Sequence, residues 1–176
     1  MMESLPLLVT VIVAAVVLLL LVGGWLVWTA NRLDKLHLRC EAAKATLDQV
    51  AIRRSVAAQE ISVSGLLGDP ASALLVGDAA LATQESKGVD RWLAESDLTA
   101  ALHLVELPTV GLLTAQLVDA SRRLTMARRI HNDVVASTLA LRSRRRVRWF
   151  HLAGQATAPS MVAFDDRVPT QPHHLA

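Results

Sequence analysis

The chain has 176 residues, a formal net charge of +2, an aromatic content of 3%, no tyrosine and one cysteine. A β-sandwich or barrel draws on aromatic and β-branched residues, so this Ala-, Leu-, Arg- and Val-rich composition argues for helices instead. The lone Cys40 excludes an intramolecular disulfide and a cysteine metal cage.

The first predicted element is an apolar stretch from Leu5 to Trp28, with no charged residue anywhere from Ser4 to Asn31. About 20 such residues suffice to cross a bilayer as a helix. A secretory signal peptide needs a basic start, a shorter apolar core and a small-x-small cleavage site. Here the start carries Glu3 and no Lys or Arg, and the stretch ends in Trp25 and Trp28. The expectation is an uncleaved transmembrane helix over residues 1–29. Arg32, Lys35, Arg39 and Lys44 follow the stretch, and basic residues near a span stay in the cytoplasm. The N-terminus is therefore expected outside and the rest of the chain in the cytoplasm of a bacterial inner membrane. Trp25 and Trp28 suit the headgroup level.

About 148 residues remain, enough for one domain. They begin with apolar or small residues at alternating three- and four-residue steps: Leu33, Leu36, Cys40, Ala43, Leu47, Val50, then Ala57 and Ile61. That is the seam of a coiled-coil-like helix continuing the span. Arg54 interrupts the seam and reads as a snorkelling side chain that covers apolar surface.

Gly65 and Gly68 stop this helix. Asp69 and Pro70 supply an N-cap and a first-turn proline for a second helix to about Gln84. Ser86-Lys-Gly88 breaks it, and a third helix runs from about Asp90 to Val105. A fourth, from Pro108 to Ser143, has its seam at Val110, Leu113, Leu117, Ala120, Leu124, Ala127, His131, Val134, Thr138 and Leu141. The matching periods of the two long helices predict an all-α fold: a four-helix, up-and-down antiparallel bundle over residues 30–150. Pairing Leu33 with Leu141 puts Asp48 beside Thr125–Arg129, with Arg122 or Arg129 as its ionic partner. Residues 151–176 contain Pro159, Pro169 and Pro172 and no helical period. They read as a loose tail, although Met161–Phe164 is apolar enough to dock.

The fourth helix ends in Arg142, Arg144, Arg145, Arg146 and Arg148, followed by Trp149 and Phe150. An up-and-down bundle returns this end to the membrane, where each basic residue contributes about 1 kcal/mol near anionic lipid. Contact with anionic inner-leaflet lipid is the expectation. A solvated helix end is the next reading, and nucleic acid is not expected as a partner.

No phosphate loop, G-x-S-x-G, dinucleotide glycine pattern or zinc-protease histidine spacing occurs. The six histidines lack a carboxylate cluster, and His131 on the seam reads as a core residue. No enzyme activity, cofactor or metal is expected.

Three stretches carry a family resemblance. Asn31-Arg-Leu33, Arg39-Cys40, Ala43, Leu47-Asp48 and Arg53-Arg54 resemble the opening of the bacterial LemA family. Arg123-Leu-Thr-Met-Ala127-Arg128-Arg-Ile-His131-Asn132-Asp133-Val-Val135 is similar to that family's R-[IL]-x-x-A-R-x-x-Y-N-[DE]-x-V, and Met161–Asp166 to its apolar-then-acidic ending. Lys44 stands where the family often has Trp, His131 replaces its Tyr, and Val56-Ala-Ala-Gln-Glu60 replaces its Asp-Leu-Ile-Pro-Asn-Leu-Val. The chain resembles a divergent member. The resemblance implies one span and a cytoplasmic helical bundle, without a defined activity. The expected role is a binding, scaffold or modulator subunit with a membrane-protein partner. A signal-transducing helper is the alternative, and homo-oligomerisation is left open.

Overall fold

The computed structural model describes residues 4–108, 111–143 and 158–169. Within them the chain is all-helical: α1 (Ser4–Val63), α2 (Pro70–Glu85), α3 (Val89–Leu104) and α4 (Leu112–Arg142). No strand occurs among the described residues.

The first helix runs 60 residues without interruption, about 90 Å at 1.5 Å per residue. Leu5 lies in its first turn. No break falls at the expected domain boundary near residue 30. Among the described residues α1 alone is long and apolar enough to cross a membrane, with a window of mean hydropathy 2.8 that is entirely unburied. Trp28 is exposed, and the Arg32 guanidinium sits 5.6 Å from its ring centroid.

The turn after α1 follows its sequence chemistry. Gly65 and Gly68 take φ values of 75° and 77°, the left-handed region that ends helices. Asp69 then caps α2, accepting a 2.9 Å hydrogen bond from the Ser72 backbone N–H, with Pro70 in the first turn. Hydrogen bonding from Ser72, its side chain first and then its backbone N–H, holds the Asp69 carboxyl below its ordinary value. Small residues let α2 close onto α1: a Cβ on Gly77 would lie 3.2 Å from Ser62 Oγ. Gln84 Nε2 donates to Gln59 Oε1 across the same contact, at 2.9 Å.

α1 and α4 pack side by side in opposite directions. Cys40 Sγ lies 3.2 Å from Thr138 Oγ1, and Arg54 Nε donates to Ser121 Oγ at 3.3 Å. This register is within about one helical turn of the Leu33–Leu141 pairing. Leu47, Leu117 and Leu124 are all buried, as their seam positions required. Val110 lies outside the described residues, and α4 begins at Leu112, capped by Gly111.

The apolar core has two parts. Ala58, Ile61, Val76, Ala80, Leu98, Leu102 and Leu117 form the part nearest the α1–α2 turn. Leu47, Ala51, Trp92, Leu124, Ala127 and Val162 form the other. Val162 belongs to the C-terminal segment, so the expectation of a loose tail is corrected. Residues 158–169 are docked, while 151–157 and 170–176 lie outside the described residues.

Leu124 is 1% exposed at the centre of the second cluster. Leu124→Ala should lower stability by about 2–5 kcal/mol, since the cavity collapses only partly. Denaturant unfolding of the full chain in detergent checks this, and a loss below about 1 kcal/mol would contradict the packing.

Candidate functional site

Between the two apolar clusters lies a layer of polar side chains. Arg54 sits on α1 between Ala51 and Ala58, Glu95 on α3 between Trp92 and Leu98, and Ser121 on α4 between Leu117 and Leu124. Arg54 is 1% exposed and Glu95 0%. Arg54 Nη1 donates to Glu95 Oε2 at 2.7 Å, and Nη2 donates to Thr99 Oγ1 at 2.8 Å. With the Ser121 bond, one guanidinium ties three helices together.

Arg54 therefore does not snorkel. An arginine at a seam position has a long apolar stem, which made surface cover the simpler reading. Its buried partner is an acid on the apolar face of α3, three residues from both Trp92 and Leu98. That placement was the one available sequence signal. Burial pushes the Glu95 carboxyl above its ordinary value. Arg54, and more weakly Arg91, pull it back. Glu95 Oε1 is buried without a hydrogen-bond partner among the described residues.

The docked segment runs antiparallel to α4 and bridges it to α3. Asn132 clamps the Val162 peptide: its Nδ2 donates to the Val162 carbonyl and its Oδ1 accepts from the Val162 N–H, each at 2.9 Å. Thr125 Oγ1 donates to the Asp166 carbonyl at 2.9 Å, and Arg128 Nε to Asp166 Oδ2 at 2.9 Å. On the α3 side, Thr99 Oγ1 donates to the Asp165 carbonyl at 2.8 Å, and Ser96 Oγ accepts from the Asp165 N–H at 3.1 Å. Phe164 stacks on Trp92 with centroids 5.3 Å apart and lies 5.7 Å from the Arg128 guanidinium. Arg167 reaches back to Asp165 at 2.7 Å and holds that carboxyl below the usual carboxylate range.

Other sequence-selected residues scatter. Arg128, Asn132 and the buried Ala127 serve the docking face, and His131 Nε2 lies 3.3 Å from the Ser160 carbonyl. Arg123 pairs with Asp119 on the exposed surface at 2.7 Å. Asn31, Arg53 and Asp133 are exposed. Asp48 pairs with Arg91 of α3 at 3.4 Å, which replaces the expected Arg122 or Arg129. The register was close, but α3 packs over that face of α1 and its arginine takes the carboxylate. Arg142 is half-buried near the end of α4. Arg144, Arg145, Arg146, Arg148, Trp149 and Phe150 lie outside the described residues.

Removing Arg54 leaves Glu95 buried without the charge that restrains it. Arg54→Met should cost about 3–5 kcal/mol near neutral pH. Its Glu95 carboxyl then titrates still further above the ordinary 4.5. A raised folded-state value favours folding below the unfolded value and loses that advantage as pH rises through the folded one. The deficit should therefore shrink as pH falls from neutral toward about 4.5. Unfolding curves across that range test it, and a pH-independent deficit would be the contrary result. The double variant Arg54→Met, Glu95→Met should recover most of the loss.

Asn132→Ala removes two bonds to the segment and should cost about 1–3 kcal/mol. Hydrogen exchange should show the Val162 amide losing protection before the helix interiors do. Unchanged protection at Val162 would mean that the segment is held elsewhere.

No family model, no curated protein and no solved structure matches the chain.

Proposed function

We propose that the chain is a single-span protein of the bacterial inner membrane that acts by binding. Its cytoplasmic helical domain serves as a scaffold or modulator subunit for a membrane-protein partner. The observation that carries this reading is the continuity of α1. Its unburied, charge-free N-terminal part runs into the packed part without a break. A helix with no apolar partner on any side suits lipid as its solvent.

Orientation follows from the basic residues after Trp28: the N-terminus outside and the domain in the cytoplasm. Trp28 with Arg32 over its ring fits the inner interface. In this reading the four helices form an up-and-down antiparallel bundle. The end of α4 then faces the inner leaflet, and the arginine run from Arg142 to Arg148, with Trp149 and Phe150, contacts anionic lipid.

The resemblance to the LemA family supports the same architecture. Two of the stretches that carry it, around Asn132 and from Met161 to Asp166, meet in the structure at the Asn132–Val162 clamp. Catalysis has no motif to rest on.

Two measurements on the full chain test the reading. A reporter fused after Ala176 should be active only in its cytoplasmic format; activity in the exported format would overturn the topology. Photo-cross-linking from Trp149 or Phe150 positions in native membranes should capture lipid or a membrane protein. Capture of soluble proteins alone would overturn the membrane-scaffold assignment.

A further inference from the structure

Beyond the docked segment, the molecule holds a cavity of about 590 Å³ between α1, the α2–α3 turn and residues 158–162. This lies within the range of about 300–1,000 Å³ that encloses small organic ligands. We infer that it binds a small hydroxylated phosphate ester.

The charges decide the class. Two carboxylates line the cavity, and both have partners: Glu41 with His37 at 3.1 Å, and Asp48 with Arg91 at 3.4 Å. Lys44 from α1 and Lys87 from the α2–α3 turn line it too, and neither has an ion-pair partner among the described residues. Two cations from separate elements thus line one concave space whose two carboxylates are already paired. α3 starts at the same wall. Its N-cap is Gly88, at φ 61° with no side-chain cap, and both Gly88 and Val89 line the cavity. The first-turn N–H groups of a 16-residue helix favour an anion there.

An independent observation points to a ligand hydroxyl. His131 lines the cavity, is 3% exposed, and its Nδ1 is buried with no partner among the described residues. Its Nε2 faces the Ser160 carbonyl, which only accepts, so Nε2 carries a proton, and in the neutral imidazole Nδ1 is then an acceptor. An acceptor on a residue of the same cavity wall as two lysines is served by a molecule that brings a donor as well as an anion. The outer oxygens of Glu41 and Asp48 accept from further hydroxyls. A sugar or polyol phosphate satisfies every group. The same chemistry occurs in a phosphatidylglycerol headgroup. This site stands on the cavity alone and does not depend on the membrane orientation.

The test uses the full chain in phosphatidylcholine nanodiscs, titrated calorimetrically with glucose 6-phosphate, inorganic phosphate and glucose. Glucose 6-phosphate should bind saturably and more tightly than inorganic phosphate, with no binding of glucose at the same concentration. Lys44→Gln and Lys87→Gln should each weaken binding about tenfold, the scale of one charged hydrogen bond. Both side chains are exposed, so the unfolding midpoint without ligand should not move. Repeating the titration in phosphatidylglycerol discs separates the sources. Equal binding in both discs identifies a soluble ester, and loss of binding only in phosphatidylglycerol identifies the headgroup as occupant. No saturable binding of the phosphate probes in phosphatidylcholine discs, or binding untouched by both lysine variants, overturns the proposal.

Discussion

The packing of this protein turns on a single guanidinium. Arg54 places a permanent charge where the seam of α1 would otherwise be apolar, and every helix near it has adjusted. α3 supplies the countercharge at Glu95 and a hydroxyl at Thr99, and α4 supplies Ser121. Taking two ions out of water costs several kcal/mol each, and their attraction offsets this only in good geometry. The benefit is therefore specificity more than stability. A slip of α3 along α1 by one turn would strand both charges in apolar surroundings. The two hydrophobic clusters tolerate sliding; the layer between them does not.

This constraint reaches the docked segment through Thr99. Its hydroxyl receives from Arg54 and donates to the Asp165 carbonyl. The charge layer and the C-terminal bridge are thus consecutive links of one hydrogen-bonded chain. Trp92 continues the connection on the apolar side, packing in the core with Leu47 and stacking on Phe164. The bridge between α3 and α4 is built on a helix whose position Arg54 has already fixed.

Much of the fold was legible because its signals are local. The charge-free stretch, the Asp69-Pro70 start of α2, the glycine stops and the three-four spacing of α4 each act within a few residues. What escaped was pairing between distant elements. Periodicity says which face of α1 is buried, but not that Glu95 meets Arg54 there, nor that Arg91 outcompetes α4 for Asp48. The segment from Ala158 to Pro169 carries no period at all. Its order comes from side chains of other elements holding its peptide groups, and only the apolar Met161–Phe164 hinted at it. The candidate cavity was less legible still, since its lysines and its histidine are contributed by three separate parts of the chain.

The docked segment also has a consequence for the order of synthesis. Chains fold as they emerge, N-terminal parts first. α1 through α3 contain both members of the buried ion pair, so that pair is available before α4 has been made. The bonds from Asp165 to Ser96 and Thr99 span 69 and 66 residues. They wait until residue 165 has been made. A product ending before Ala158 would possess every described helix and still leave α3 and α4 without the strap that joins them. The strap is therefore the last of the described parts to join the fold.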